Sequence, residues 1–394
     1  MKTMYLGITS GFLMASMLFG SENAPGVTDK EIKVGNTIPY SGPVSSYGAI
    51  GINCKAFFEK VNSEGGVNGR KIVFISKDDA YSPQKTLEQT RRLVEEENVM
   101  CIFGSLGTPT STAIRPYLNE MKVPQVFVMS GASKWNDPQA FPWTIGWQPT
   151  YHLEGKAYGL YILKNYPKAK VGVLYQNDDY GKDYLNGLKD GLGDKADAMI
   201  VKVETYNVTD PSIDSQILNL KSSGADIFID ITTSKFSVQA IKKKSELDWK
   251  AVHFLNNVSA NIEVVFRPAG IDHTKGIITA LYMKSVSDPK WRDTPEVKEY
   301  FAFMKKYNPK AKASDYNNYY AYTITQTFVA LLKQCGDNLT RENVMKQAAH
   351  LDMQLPLLIP GIKVQTSPTD YAPIKRMMLV KFNGESFDDL GFAD

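Results

Sequence analysis

From Val27 onward, short runs rich in β-branched residues alternate with stretches whose apolar residues recur at helical spacing. A parallel sheet with crossover helices requires that pattern. In the first half, residues 32–38, 71–76, 99–104 and 125–129 read as strands. Between them Ile50, Cys54, Phe57 and Val61 share one helical face that ends at Gly65-Gly66. Pro83 suits the first turn of the next helix, whose core face carries Leu87 and Val94. The second half repeats the scheme with strands at 170–175, 199–206, 226–232 and 251–256 and a stripe of Tyr184, Leu185, Leu188 and Leu192. Two similar sheets in tandem predict two doubly wound α/β lobes that face each other. The break falls at 142–151, where Phe, Trp, Gly and Pro crowd together without periodicity.

Length and composition agree with two lobes, since 394 residues with 43% hydrophobic content are enough to bury two cores. The formal charge of +3 is nearly balanced, and Lys242-Lys243-Lys244 sits beside Glu246 and Asp248 as a solvated helix face. Nucleic acid is therefore not an expected partner. Residues 4–21 carry no charge, follow Lys2 and are mostly apolar, so residues 1–24 read as a secretory leader and the expected location is periplasmic. A membrane-anchoring helix is the competing reading of that run. Cys54, Cys101 and Cys335 are far apart, and they are expected to be buried apolar groups rather than metal ligands or a disulfide.

Catalytic chemistry finds little support. His152, His253, His273 and His350 stand in no metalloprotease or nucleophile-elbow context, and there is no phosphate-binding loop. Asp78-Asp79 and Asp178-Asp179 could be drawn as acid–base pairs but sit where acidic residues cap helices. A binding protein without cofactor or metal is the expectation.

Candidate binding chemistry lies where strands end. The loop after the first strand carries Ser41, Gly42, Ser46, Tyr47 and Gly48. The third strand runs into residues 104–112, with Gly107, Thr108 and Ser111, and the fourth into Ser130-Gly131-Ala132-Ser133. Both then enter helices, so free backbone N–H groups and a positive dipole end point into the crevice of an open α/β sheet. Such a place favours an anion, most simply a carboxylate. Taken singly, each Ser or Thr here is better explained as a helix cap. Tyr40, Tyr81, Trp135, Trp143, Trp147, Tyr151, Tyr206 and Phe236 crowd the remaining loops and suit an apolar or aromatic ligand, although the tryptophans also suit an interlobe joint.

Residues 35–48, the turn at 61–70, Asp78-Asp79 and residues 176–181 together resemble the periplasmic leucine/isoleucine/valine-binding protein family, the extracytoplasmic receptors of ABC importers. The similarity runs in order from Val27 to the C-terminus. It implies a type I clamshell whose lobes are crossed three times. The first lobe would be 27–146 plus 283–360, the second 147–276 plus 365–394, with crossovers at 277–282 and 361–364 besides the one near Gly146. Helices over 295–307 and 316–333 would return to the first lobe and a strand at 377–382 to the second. The resemblance also implies a ligand carboxylate held by Thr108, Ser111, Gly131, Ala132 and Ser133, with Ser41 and Tyr47 over the site. Tyr180, Thr233, Asn256 and Asn257 would close on it from the second lobe. Amino-acid-binding members place a Glu at Asn256-Asn257 to pair with the ligand's ammonium, and a buried ammonium without an anion is costly. The expected ligand is accordingly an aromatic or branched apolar carboxylate. A branched-chain amino-acid receptor and a ligand sensor for a signalling partner are the alternatives. Expected partners are an ABC permease and its ATPase, and the receptor itself is expected to be a monomer.

Overall fold

The computed structural model describes residues 23–393, so the expected leader lies outside the described residues apart from its last two positions. Among the described residues no helix is long and apolar enough to cross a membrane. Five strands form the first sheet: β1 Glu31–Ile38, β2 Lys71–Asp78, β3 Cys101–Phe103, β4 Gln125–Val128 and β5 Thr144–Gly146. They are all parallel, in the order β2-β1-β3-β4-β5. The second sheet contains β6 Val171–Gln176, β7 Ile200–Tyr206, β8 Ile227–Ile231, β9 Val252–Leu255 and β10 Ile278–Leu281. A small hairpin follows, β11 Asp352–Met353 with β12 Val364–Gln365. The chain then returns to the second sheet as β13 Met377–Phe382 and β14 Phe387–Ala393, both antiparallel.

The order of the second sheet, β14-β13-β10-β9-β8-β6-β7, contains the same doubly wound arrangement as the first. Each sheet reverses direction of winding beside its first strand, at β1/β3 and at β6/β8. Ligands of such sheets bind outside the carboxyl ends of the strands at that reversal. The central strands β3, β4 and β8 are buried at every position, as strands covered by helices on both faces must be.

The Tyr316–Cys335 helix packs on the first sheet, where Phe328 stacks on Phe103 with ring centroids 4.4 Å apart. The Trp147 indole N–H donates to Thr327 Oγ1 at 2.9 Å, so this tryptophan ties the first crossing to that helix.

Two crossovers differ from expectation. Residues 278–281 are not a crossover but strand β10, because Ile278-Thr279-Ala280-Leu281 is a fully buried run that pairs with β9 and β13. The chain leaves the second sheet only afterwards, where Met283 bridges Leu358 and the Ile359 N–H donates to the Tyr282 carbonyl at 3.0 Å. Val364 likewise belongs to β12. The return toward β13 falls later, after Tyr371, whose N–H donates to Asn136 Oδ1 at 2.6 Å.

The helices Tyr151–Asn165 and Asp179–Leu192 pack backbone to backbone through Gly155, Gly159, Gly187 and Gly191. A Cβ on Gly187 would lie 2.1 Å from the His152 carbonyl oxygen, and one on Gly191 2.3 Å from that of Lys156. This contact fixes both helix starts, and both starts reach the cleft. Gly187→Ala should therefore destabilise the protein by about 1–3 kcal/mol in urea unfolding. The opposite sign, a gain of about 1 kcal/mol from the helix preference for alanine, would show that the helices can separate at little cost.

Candidate ligand-binding site

A cavity of about 550 Å3, its open mouth included, lies between the carboxyl ends of the two sheets. Six tyrosines line it: Tyr47, Tyr81, Tyr151, Tyr180, Tyr316 and Tyr320. Ile50, Leu106, Met129 and Val258 supply aliphatic surface, and Gly107, Thr108, Gln148, Thr233 and Asn317 supply polar atoms. None of these residues is Asp, Glu, Lys, Arg or His. The cavity is the size of a small-molecule site, and its polarity is made of hydroxyls and amides alone.

The first-lobe wall is built on the loop after β3. Gly107 has φ +98°, and a Cβ there would lie 2.4 Å from the Tyr81 ring, so only glycine fits. It precedes the Thr108–Glu120 helix and offers no side-chain cap. Pro109 has no N–H, so the amides this uncapped start leaves without a helical partner are those of Thr108 and Thr110. Thr108 Oγ1 lies 2.7 Å from Ser130 Oγ. Ser130 Oγ already accepts from Trp135 Nε1 at 3.0 Å and from the Ala132 N–H at 3.3 Å. With both acceptor positions taken, the Ser130 hydrogen goes to Thr108, and the Thr108 proton remains free to donate to a ligand.

Of the strand-end aspartates Asp178 caps a helix, whereas Asp78 and Asp79 hold loop N–H groups and Ser82 caps the helix that follows them. Asp78 accepts from the N–H groups of Tyr40, Ser41 and Ala80. Asp79 accepts from the Tyr81 N–H and from Thr86, which fixes Tyr81 at the cavity, and burial raises its carboxyl to about 6. Asp178 Oδ1 accepts from the N–H groups of Tyr180 and Gly181 and so places Tyr180 on the opposite wall. Thr233 is set by Tyr206, whose hydroxyl accepts the Thr233 N–H at 2.9 Å.

The lobes are closed over the cavity. The Tyr47 hydroxyl donates to the Val258 carbonyl at 3.3 Å, and that of Tyr316 to Asn257 Oδ1 at 3.2 Å. At one lip Ser133 donates to Asp183 from both N–H and Oγ at 2.9 Å, and Lys134 pairs with Asp179 at 2.6 Å. At the other, Asn261 donates to Asp315 at 2.7 Å and Lys312 pairs with Glu263 at 3.1 Å.

Of the residues expected at the site, Tyr47, Thr108, Tyr180 and Thr233 line the cavity. Ser41 is exposed and donates to Asp78 at 2.6 Å. Ser111 is one turn inside its helix and donates to the Ser105 carbonyl at 3.1 Å. Gly131 and Ala132 run behind the Tyr151 ring, which lies 2.8 Å from where a Gly131 Cβ would be. Ser133 is a tie between lobes. Asn256 and Asn257 do not face the ligand space. Asn256 donates to the carbonyls of Asp230 and Thr232, and Asn257 to that of Ala280 at 2.6 Å. Both amides hold strand ends together, so Asn257 does not close directly on a ligand.

The wall also uses Ile50, Leu106, Met129, Gln148, Val258, Tyr316, Asn317 and Tyr320, which sequence reasoning missed. The run Tyr316-Asn317-Asn318-Tyr319-Tyr320 after Asp315 was the available signal: polar aromatics gathered at one helix start.

Behind the wall Glu154 is buried, and its carboxyl accepts from the hydroxyls of Tyr158 and Tyr184 and from the Asn257 N–H. Burial raises it from 4.5 to about 7 despite these bonds. A carboxyl raised on folding contributes stability that is whole below pH 4.5 and is lost as pH rises through about 7.

A family model described as "Periplasmic binding protein" matches residues 31–386. The Leu/Ile/Val-binding protein homolog 7 of Brucella suis biovar 1 is 27% identical over 247 residues, which are 60% of each chain. The chain thus spans about 60% of the length of that relative. Among solved structures, a branched chain amino acid ABC transporter protein from Thermus thermophilus with bound valine aligns with a TM-score of 0.81 at 15% identity, over 92% of this chain and 96% of its own. A solute binding protein from Rhodopseudomonas palustris BisB5 in complex with 3,4-dihydroxy benzoic acid aligns with a TM-score of 0.77 at 22% identity, over 92% and 97%.

The Glu154 support is open to direct test. Between pH 5 and 8 the wild type should lose about 1–3 kcal/mol of unfolding free energy that Glu154→Gln keeps, since the uncharged amide can accept from Tyr158 and Asn257 at its oxygen and donate from its NH2 to the Tyr184 hydroxyl. Parallel urea-stability profiles would mean that this carboxyl is not raised.

Proposed function

The chain belongs to the periplasmic binding protein family, and on that premise we propose that it is the extracytoplasmic receptor of an ABC importer for small apolar or aromatic carboxylates lacking an α-ammonium group. The family and its structural neighbours are binding proteins of transporters, not enzymes. An ABC permease and its ATPase would take the closed, loaded receptor, which works outside the cytoplasm as a monomer.

The observation that carries the ligand class is the uncharged wall. An uncapped helix N-terminus and the free Thr108 proton can hold a carboxylate, while no lining residue could neutralise an ammonium. Burying such a cation unpaired costs several kcal/mol. The tyrosine rings and Ile50, Leu106, Met129 and Val258 suit an apolar body. The neighbour that holds a dihydroxy benzoic acid makes this reading concrete. The valine-bound neighbour and the Leu/Ile/Val-binding relative favour the alternative of a branched-chain amino acid.

A thermal-shift panel of branched, phenyl-substituted and hydroxy acids is the test. A ligand at about a hundred times its dissociation constant adds roughly 2.7 kcal/mol, or about 5–10 °C for lobes of this size. Thr108→Ala should weaken binding of a responding acid by about 1–3 kcal/mol, the worth of one charged hydrogen bond, read as the ligand-induced shift from the variant's own unliganded melting temperature, since the change also leaves the Ser130 hydroxyl without its acceptor. A responding acid that bound the variant as tightly as wild type would move the carboxylate away from Thr108.

A further inference from the structure

Tyr180 reaches the cavity from the first turn of the Asp179–Leu192 helix and is only 3% exposed. Its ring stands edge-on to Tyr151 and Tyr184, with centroids 5.0 and 5.6 Å apart. Its backbone N–H is occupied by Asp178. Its hydroxyl has no hydrogen-bond partner. Among the described residues that line the cavity, no other buried side-chain polar atom is left in that state. A buried phenol normally finds a partner, and leaving it unmade costs free energy. Thr233 stands on the same second-lobe wall, whereas Thr108 and the uncapped helix start belong to the first lobe. Ile50, Met129 and Val258 add apolar surface to the same cavity. Each lobe thus brings polar groups to a cavity that also carries apolar wall.

We infer that the ligand carries a second oxygen besides its carboxylate, and that this oxygen accepts the Tyr180 proton when the lobes close. The solute class narrows to hydroxylated aromatic or hydroxyl-terminated apolar acids. The inference rests on the carboxylate reading above and adds a second, separable contact.

Calorimetry on the full chain and on Tyr180→Phe tests it with matched pairs: benzoate and 4-hydroxybenzoate, 3-phenylpropanoate and 3-(4-hydroxyphenyl)propanoate, hexanoate and 6-hydroxyhexanoate. In at least one pair the hydroxylated acid should bind wild type at least about tenfold more tightly, as a site built to bond a hydroxyl discriminates. Tyr180→Phe should bring that pair within about threefold by weakening the hydroxylated acid and sparing its parent. Because the hydroxyl is unpaired without ligand, the variant's unliganded melting temperature should equal or exceed that of wild type. The second contact is overturned if the parents bind and no hydroxyl adds affinity, if the preference survives in Tyr180→Phe, or if the unliganded variant melts lower. If none of the acids binds wild type, the carboxylate reading falls and takes this inference with it.

Discussion

The carboxylate proposed for the cleft would be held with no ionised side chain on the wall, so the polarity of the cleft comes from oriented dipoles. Dipoles act only where they are aimed. Gly107 lets the Thr108–Glu120 helix start at the cavity without a cap, and Ser130 turns the Thr108 proton inward because its own acceptor positions are taken by Trp135 and Ala132. The opposing wall depends on the same kind of support, Asp178 for Tyr180 and Tyr206 for Thr233. Buried acids thus lie behind the site as anchors and not in it.

Closure adds a second layer of constraint. The glycine contact between the Tyr151–Asn165 and Asp179–Leu192 helices moves Tyr151 and Tyr180 as one unit. Glu154 joins that unit to the loop after β9 through Asn257, and Tyr316 reaches the same asparagine from the first lobe. A ligand that bridges the walls therefore meets parts that are already coupled.

The strands were legible because buried parallel strands are continuous apolar runs, and β13 is found over the residues expected. The strand-end loops were legible in part: Tyr47, Thr108, Tyr180 and Thr233 line the cavity, as loops at winding reversals should. Sequence position says nothing of side-chain direction, and there the expectation failed. Asn256 and Asn257 stand at a strand end, yet their amides bond the carbonyls of Asp230, Thr232 and Ala280. The conclusion that no anion awaits an ammonium survives for a different reason, the composition of the whole wall. Tyr316, Asn317 and Tyr320 were missed because a helix start gives no sign of which distant loops it will join. The crossover at 277–282 was misplaced because an apolar run can be a strand or a joint until its neighbours are known.

The central claim is that the site accepts a carboxylate and has no place for an α-ammonium. Calorimetric titration of the protein with leucine and with 4-methylpentanoate, which differ only in that group, tests it most directly. The account predicts that 4-methylpentanoate binds more tightly by at least about 2 kcal/mol, since the uncompensated cation must be desolvated. Tighter binding of leucine would contradict it and would require an acid, Asp178 being near at hand, to turn toward the cavity.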